Sequence, residues 1–249
     1  MKNKHQYTIN RGRNSYMVFL PEYNLSKEIE EDNLRYQSEY TPCPESELHK
    51  IKLGWNIGMI DYRTFPLSRF YPIGTSRLLN SVYKVPKFYE NLDDKPIDSV
   101  FRGAIKKNKE NYAYQRNKVI ELFEKYPNYI TGDVIPKKKY LDELKKSKTC
   151  VSPFGWGEVC FRDFEAIING CVLIKPDMDH IETWPDLYRK NETYVSIKWD
   201  MTDLEQTLNE VVSNYEDYKP LVRNAQEIYK EALRDGEGFV NRFKKILEQ

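Results

Sequence analysis

The sequence predicts an α/β protein built mainly around a parallel sheet. Three observations carry this. From Ile97 onward, short apolar runs alternate with amphipathic helical stretches, the pattern of successive βαβ units. The runs are apolar throughout rather than at every second residue, as strands covered on both faces are. The first 95 residues lack this regularity and are rich in Tyr, Pro and Asn. They form a separate, shorter N-terminal α/β domain in this reading.

The elements follow in order. "SYMVFLPEY" (Ser15 to Tyr23) is a strand candidate, and "HKIKLGWNIGMIDYR" (His49 to Arg63) holds one or two strands by apolar alternation. "TPCPESE" and "NLDDKP" read as loops, and the second, Asn91 to Pro96, is the domain boundary. "IDSVFRGAI" is a strand. "YQRNKVIELFEKY" is a helix with Val119, Leu122 and Phe123 on one face. "NYITGDV" is a short strand or turn, and "KKYLDELKKS" a helix facing inward through Tyr140, Leu141 and Leu144. "TCVSPF" is a strand, "FRDFEAIIN" a helix stopped by Gly170, and "CVLIKP" and "TYVSIK" are strands. A long helix starts at Thr202, where Thr202 and Glu205 have capping-box spacing, and Pro220 kinks or splits it. Gly236 separates a last amphipathic helix through Phe239, Phe243 and Leu247. The division is then 1–95, a Rossmann-like domain over 96–235, and a terminal helix over 236–249 that packs back toward the first domain.

Composition narrows the function. Lys plus Arg number 39 and Asp plus Glu 38, so the net charge is +1. A nucleic-acid binder usually carries a strong basic excess, so nucleic acid is not an expected partner. The four cysteines (Cys43, Cys150, Cys160, Cys171) show no CxxC spacing, and there are only three histidines. No metal site is expected. Thiols inside apolar strands suit a reducing, cytoplasmic setting. No apolar run approaches the ~20 residues of a membrane helix. The apolar stripe of the last helix leaves a peripheral membrane contact as the lesser reading.

The chemistry concentrates in "FGWGEVCFRDFEAIINGCVLIKP", Phe154 to Pro176. A strand runs into a glycine-containing loop, and a helix follows. The first N–H groups of that helix lack partners and its dipole end is positive, which suits an anion. Arg162 lies in the first turn, with a planar guanidinium matched to phosphate. Glu165 follows on the same face, where a carboxylate can accept from sugar hydroxyls. The same spacing equally makes a surface ion pair, and Trp156 either stacks on a ligand or packs on Phe154.

"CFRDFEAIINGCVLIKP" resembles the donor-binding motif of exostosin-like glycosyltransferases and of the CAP10-type, protein O-glucosyltransferase-like family. "SVFRGAI", "YLDELKKSKTCVSPFG", "LIKPDMDHIETW" and "YVSIKWDMTDLEQTL" match further pieces in the right order, over Ile97 to Leu233. The resemblance implies a GT-B fold, two Rossmann-like domains facing a cleft. It implies a nucleotide sugar, UDP-linked by preference, bound without a metal or other cofactor. It implies Arg162 as diphosphate clamp and Glu165 as ribose contact. Around them it implies a donor site of Arg102, Gly103, Arg116, Phe154, Gly155, Trp156, Gly157, Glu158 and Lys175. Many retaining relatives space two glutamates eight apart. Here Glu158 and Glu165 are seven apart, with Gly157 in the expected first place, which favours an inverting enzyme. Its base comes from the first domain, with Asp61 ahead of Glu45 and His49. The acceptor is a glycan or a lipid-linked sugar. A non-catalytic nucleotide-sugar or glycan-binding module stays open as the alternative. An NAD or methyl-donor enzyme ranks below both, since no GxGxxG follows a first strand.

Overall fold

The structure, a computed structural model, describes residues 53–59, 85–103, 110–155 and 158–248, together with the backbone of three strands near the N-terminus. Those strands are β1 (Gln6–Asn10), β2 (Tyr16–Phe19) and β3 (Tyr40–Pro42), paired antiparallel in the order β2-β1-β3. β2 lies inside the strand expected over Ser15 to Tyr23. β1 alternates Tyr7 and Ile9 with polar residues over only five positions, and β3 is three residues ending in a proline; the sequence reading marked neither. The expected strand over 49–63 is absent from its described middle: residues 53–59 form no strand and turn at Ile57–Gly58.

The larger sheet has five parallel strands. They are β4 (Ile97–Val100), β5 (Tyr129–Ile130), β6 (Ser147–Val151), β7 (Val172–Pro176) and β8 (Val195–Ile197), in the order β5-β4-β6-β7-β8. Six helices accompany them among the described residues: α1 (Glu110–Phe123), α2 (Lys137–Lys146), α3 (Phe161–Ile168), α4 (Leu204–Ser213), α5 (Tyr215–Arg234) and α6 (Gly236–Glu248). The Rossmann-like α/β expectation is met. The chain runs outward from β4 to β5, returns past β4 to β6, and continues to β7 and β8. The strand order therefore reverses between β4 and β6, and the crevice beyond their carboxyl ends is where such sheets bind ligands.

Side chains alternate across the sheet, as period-2 geometry requires. Phe101, Val151, Val172 and Ile174 join one core with Val119, Leu122 and Phe123 of α1 and Leu204, Leu208 and Val211 of α4. Val100, Cys150 and Leu173 join a second core with Leu144 of α2 and Phe164, Ala166 and Ile167 of α3. α5 spans the two, placing Leu221 and Val222 in the first and Ala225, Tyr229 and Leu233 in the second. Each fully buried aliphatic or aromatic side chain contributes on the order of 2 kcal/mol.

Two expectations about helix ends are corrected. Thr202 does not cap: its hydroxyl donates to Asp200 Oδ1 at 2.8 Å, and the N-cap of α4 is Asp203. The Asp203 carboxylate is taken by the Lys198 N–H at 2.9 Å. Pro220 does not split the long helix either. The break comes at Asn214, and Pro220 lies inside α5, near its start, where the missing N–H costs least. Gly170 ends α3 as expected, at φ +74°. Leu92 Cδ2 and the Tyr89 carbonyl would each stand 2.9 Å from a Cβ there, so glycine answers both the backbone and the space.

The parallel-sheet body takes up residues ahead of Ile97. Phe88 and Leu92 are buried in it, and the Tyr89 N–H donates to Ile168 O at 2.8 Å. Tyr229 OH donates to Gly58 O at 2.7 Å, and Arg242 of α6 donates to the carbonyls of Leu53 and Gly54. Trp55 packs on Phe239 and Phe243 of α6 at centroid distances of 5.1 and 6.0 Å. No described helix is long and apolar enough to cross a membrane.

Candidate functional site

The ends of β4 and β6 bring the central residues together. Arg102 and Gly103 leave β4, Phe154 and Gly155 leave β6, and α3 begins at Phe161 beside them. Arg162 donates through Nη2 to Arg102 O at 2.9 Å. Its guanidinium carbon lies 4.8 Å from the centre of the Phe101 ring, a cation–π contact. Its Nη2 is 3.3 Å from where a Cβ on Gly103 would stand. The Nε is buried and has no hydrogen-bond partner among the described residues. A buried donor left unmade is costly, and here it belongs to the side chain the sequence marks as an anion clamp.

Arg102 is otherwise engaged. It grips Glu143 of α2 with two bonds of 2.9 and 2.8 Å, and its Nη1 donates to Thr131 O at 2.6 Å. Its geometry is that of a strut between β4, the end of β5 and α2. Arg116, on α1, approaches the same crevice: its Nη2 is 3.7 Å from a Cβ built on Gly155. Gln115, one residue earlier, was not marked by the sequence. It is buried, accepts from the Phe154 N–H at 2.8 Å and donates to Trp199 O at 2.9 Å. It ties α1 to the β6 loop and to the segment after β8.

Glu165 lies one turn beyond Arg162, with Lys137 Nζ 3.8 Å away. Burial pushes its carboxyl above the usual range, against the pull of Lys137 and Arg162. Glu158 is nearly buried. One of its oxygens is 3.9 Å from His180 Nε2, and the other has no partner among the described residues. The His180 ring in turn packs near Phe154 at 6.3 Å. Trp156, Gly157, Asp61, Glu45 and His49 lie outside the described residues.

Lys175 is fully buried at the end of β7, paired with Asp163 of α3 at 3.2 Å. Asp163 is also fully buried. It accepts from Ser152 Oγ at 2.5 Å, from Tyr188 OH at 2.6 Å and from the Cys160 N–H at 2.9 Å. Sequence reasoning missed Asp163, Ser152 and Tyr188. The spacing of Asp163 three residues past Cys160, as in a capping box, was the available signal. Burial raises the thiols of Cys160, Cys150 and Cys171 above their ordinary range, so none is a nucleophile near neutral pH. All three are free. Among the described residues no three His, Cys, Asp or Glu side chains gather as a metal site would.

No family model matches the chain, and no curated protein sequence matches it. Sixteen chains among solved structures do. One is the crystal structure of TarM, with a TM-score of 0.46 and 10% identity over 99% of this chain and 49% of that one. The chain thus spans about half the length of that structure. A likeness this shallow says nothing of the site. The class that the fold defines is a doubly wound parallel α/β protein whose strand order reverses between β4 and β6.

Proposed function

We propose that this crevice binds a nucleotide-diphosphate sugar, UDP-linked by preference, and that the protein is a GT-B-type glycosyltransferase. The observation that carries the reading is Arg162. Its guanidinium is held by the Arg102 carbonyl and the Phe101 ring, with a buried N–H left over, beside the first turn of α3 at the switch point. A diphosphate would pair with the Arg162 guanidinium and with the orphan N–H groups of the helix start. Glu165 is the proposed ribose contact, Arg116 a second contact to the phosphates, and Glu158 the acceptor for a hydroxyl of the sugar. Arg102 is proposed to hold the floor of the site rather than to touch the ligand, since Glu143 and Thr131 O engage each of its three guanidinium nitrogens.

In transfer the bond between sugar and diphosphate breaks through a cation-like transition state. Charge gathers on the departing diphosphate, where Arg162 and the helix start stabilise it. The acceptor, a glycan or lipid-linked sugar, gives its proton to a base in the first domain, Asp61 by proposal, with inversion. No bound metal is required in this scheme.

Calorimetric titration with UDP, GDP, CMP and TDP, each with EDTA and with magnesium, tests the reading on wild type and Arg162→Ala. Metal-independent binding of one nucleotide, weakened tenfold or more in the variant, is expected; ~1.5–3 kcal/mol is typical of hydrogen bonds to a charged group. Absence of binding by any nucleotide overturns it. Tight binding without hydrolysis or transfer would assign the chain to a carrier module instead.

A further inference from the structure

We propose that Lys175 is a positioning residue of the anion site, acting through Asp163. Its charge, sealed beneath α3, cancels the carboxylate that pins the first turn of that helix, and so leaves the helix start open to a diphosphate. This rests on the donor-site reading above and deepens it.

Asp163 joins three pieces of backbone. Ser152 at the end of β6, Cys160 at the helix N-cap and Tyr188 beyond β7 all donate to its two oxygens. Three donors need an acceptor-only group, which an ionised carboxylate is and an amide is not. A carboxylate at a helix N-terminus, however, competes with any anion brought to the same place. Both Asp163 and Lys175 are fully buried, so water does not screen the charge. Lys175 Nζ lies 3.2 and 3.4 Å from the two carboxylate oxygens. It also sits 5.0 Å from the Phe154 ring centre and 5.9 Å from that of Tyr188. With no exposed surface, Lys175 cannot reach a ligand in the crevice. Its effect on a diphosphate is electrostatic and indirect.

The other groups facing Asp163 do not replace it. Cys150 on β6, Cys160 at the helix N-cap and Tyr188 are all held neutral by burial. Arg162 and Glu165 on α3 have opposite signs. The Glu158–His180 pair at the crevice is common to every variant below.

The test is calorimetric titration with UDP and with inorganic pyrophosphate from about pH 5.5 to 8.5. It uses wild type, Lys175→Met, and the double variant Lys175→Met/Asp163→Asn. The titration of the phosphates themselves is common to all three and cancels in the ratio to wild type. Lys175→Met should bind at least tenfold weaker at the alkaline end, the size of one added charge about 12 Å or less away at an effective dielectric near ~20. Affinity should recover as pH falls, because protonation of Asp163 removes the charge that Lys175 no longer balances. The double variant should lose that pH dependence. A purely architectural role would give a loss equal at every pH and no rescue, and would overturn the inference. Should Lys175→Met not fold, Lys175→Gln, which keeps a donor toward Asp163, carries the same comparison. Failure of wild type to bind either probe overturns the donor-site reading and this inference together. Binding by wild type with parallel pH profiles overturns this inference alone.

Discussion

An alanine at Gly58 would put a methyl group into the ring of Phe164, overlapping Cε1 and Cδ1. Neither side has room to give. Phe164 is fully buried on α3 and packs on Tyr229 at 5.4 Å. Tyr229 in turn holds the Gly58 carbonyl at 2.7 Å, so the glycine backbone is tied to the side chain beneath the ring it would strike. Forcing a methyl into a close-packed site costs about 1–3 kcal/mol. For a protein of this size that is a fall of roughly 3–10 °C in Tm. Thermal unfolding by circular dichroism on Gly58→Ala, Phe164→Leu and the double variant measures it. Phe164→Leu alone loses about 1–3 kcal/mol to the cavity it leaves. The shorter side chain also removes the clash. The double variant should therefore lose clearly less than the two singles combined, with a coupling of about 1 kcal/mol or more. Equal melting of Gly58→Ala and wild type, or strict additivity, would refute the docking of residues 53–59 on α3.

Three other outcomes follow from the geometry. Arg102→Lys should lose about 1–2 kcal/mol in urea unfolding, since an ammonium cannot reproduce the two-pronged grip on Glu143; Glu143→Gln should then cost clearly less in that background than it does in the wild type. Lys95→Met should lose about 1–3 kcal/mol, because Lys95 Nζ donates to Asn169 O at 3.2 Å and to Gly170 O at 2.9 Å, and both carbonyls would be left buried without it. Glu165 has a folded-state carboxyl raised by burial from its ordinary 4.5. Its contribution is therefore fully present below that value and is lost as pH rises through the raised one. Glu165→Gln should flatten this fall in stability on the acid side of neutrality while weakening nucleotide binding; an unchanged pH–stability curve would count against the burial.

The parallel sheet was legible because burial on both faces writes itself into the sequence. "CVLIKP" is apolar almost throughout, and every residue of β7 is buried. The helices were legible from their spacing, as with Val119, Leu122 and Phe123. β1 and β3 were not: β1 alternates Tyr7 and Ile9 with polar residues for only five positions inside a polar, basic stretch, and β3 is too short to show a period. Arg162 and Glu165 could be marked because three residues apart on a helix is a statement about one face. Asp163 stands between them and points inward, where helical spacing says only that a residue is buried. Its partner Lys175 is twelve positions later on a strand, and the partner of Arg102 is forty-one positions away. Charged side chains at strand ends look alike in a sequence whether they reach a ligand or close on a distant opposite charge. Only packing separates Lys175, which is enclosed, from Arg162, which keeps a spare donor.

The attachment of residues 53–59 to α5 and α6 bears on where the chain can be cut. The loop Asn91 to Pro96 looks like the natural place to divide it. A fragment starting at Ile97 would shed Phe88 and Leu92 from its cores and Lys95 from the end of α3. It would bare the Phe164 ring where Gly58 now lies against it, and strip Tyr229 and Arg242 of the carbonyls they hold. A fragment that keeps these contacts must therefore retain residues 53–59 and 85–96 together with the sheet, a late stretch of chain that holds a short early one as its own edge.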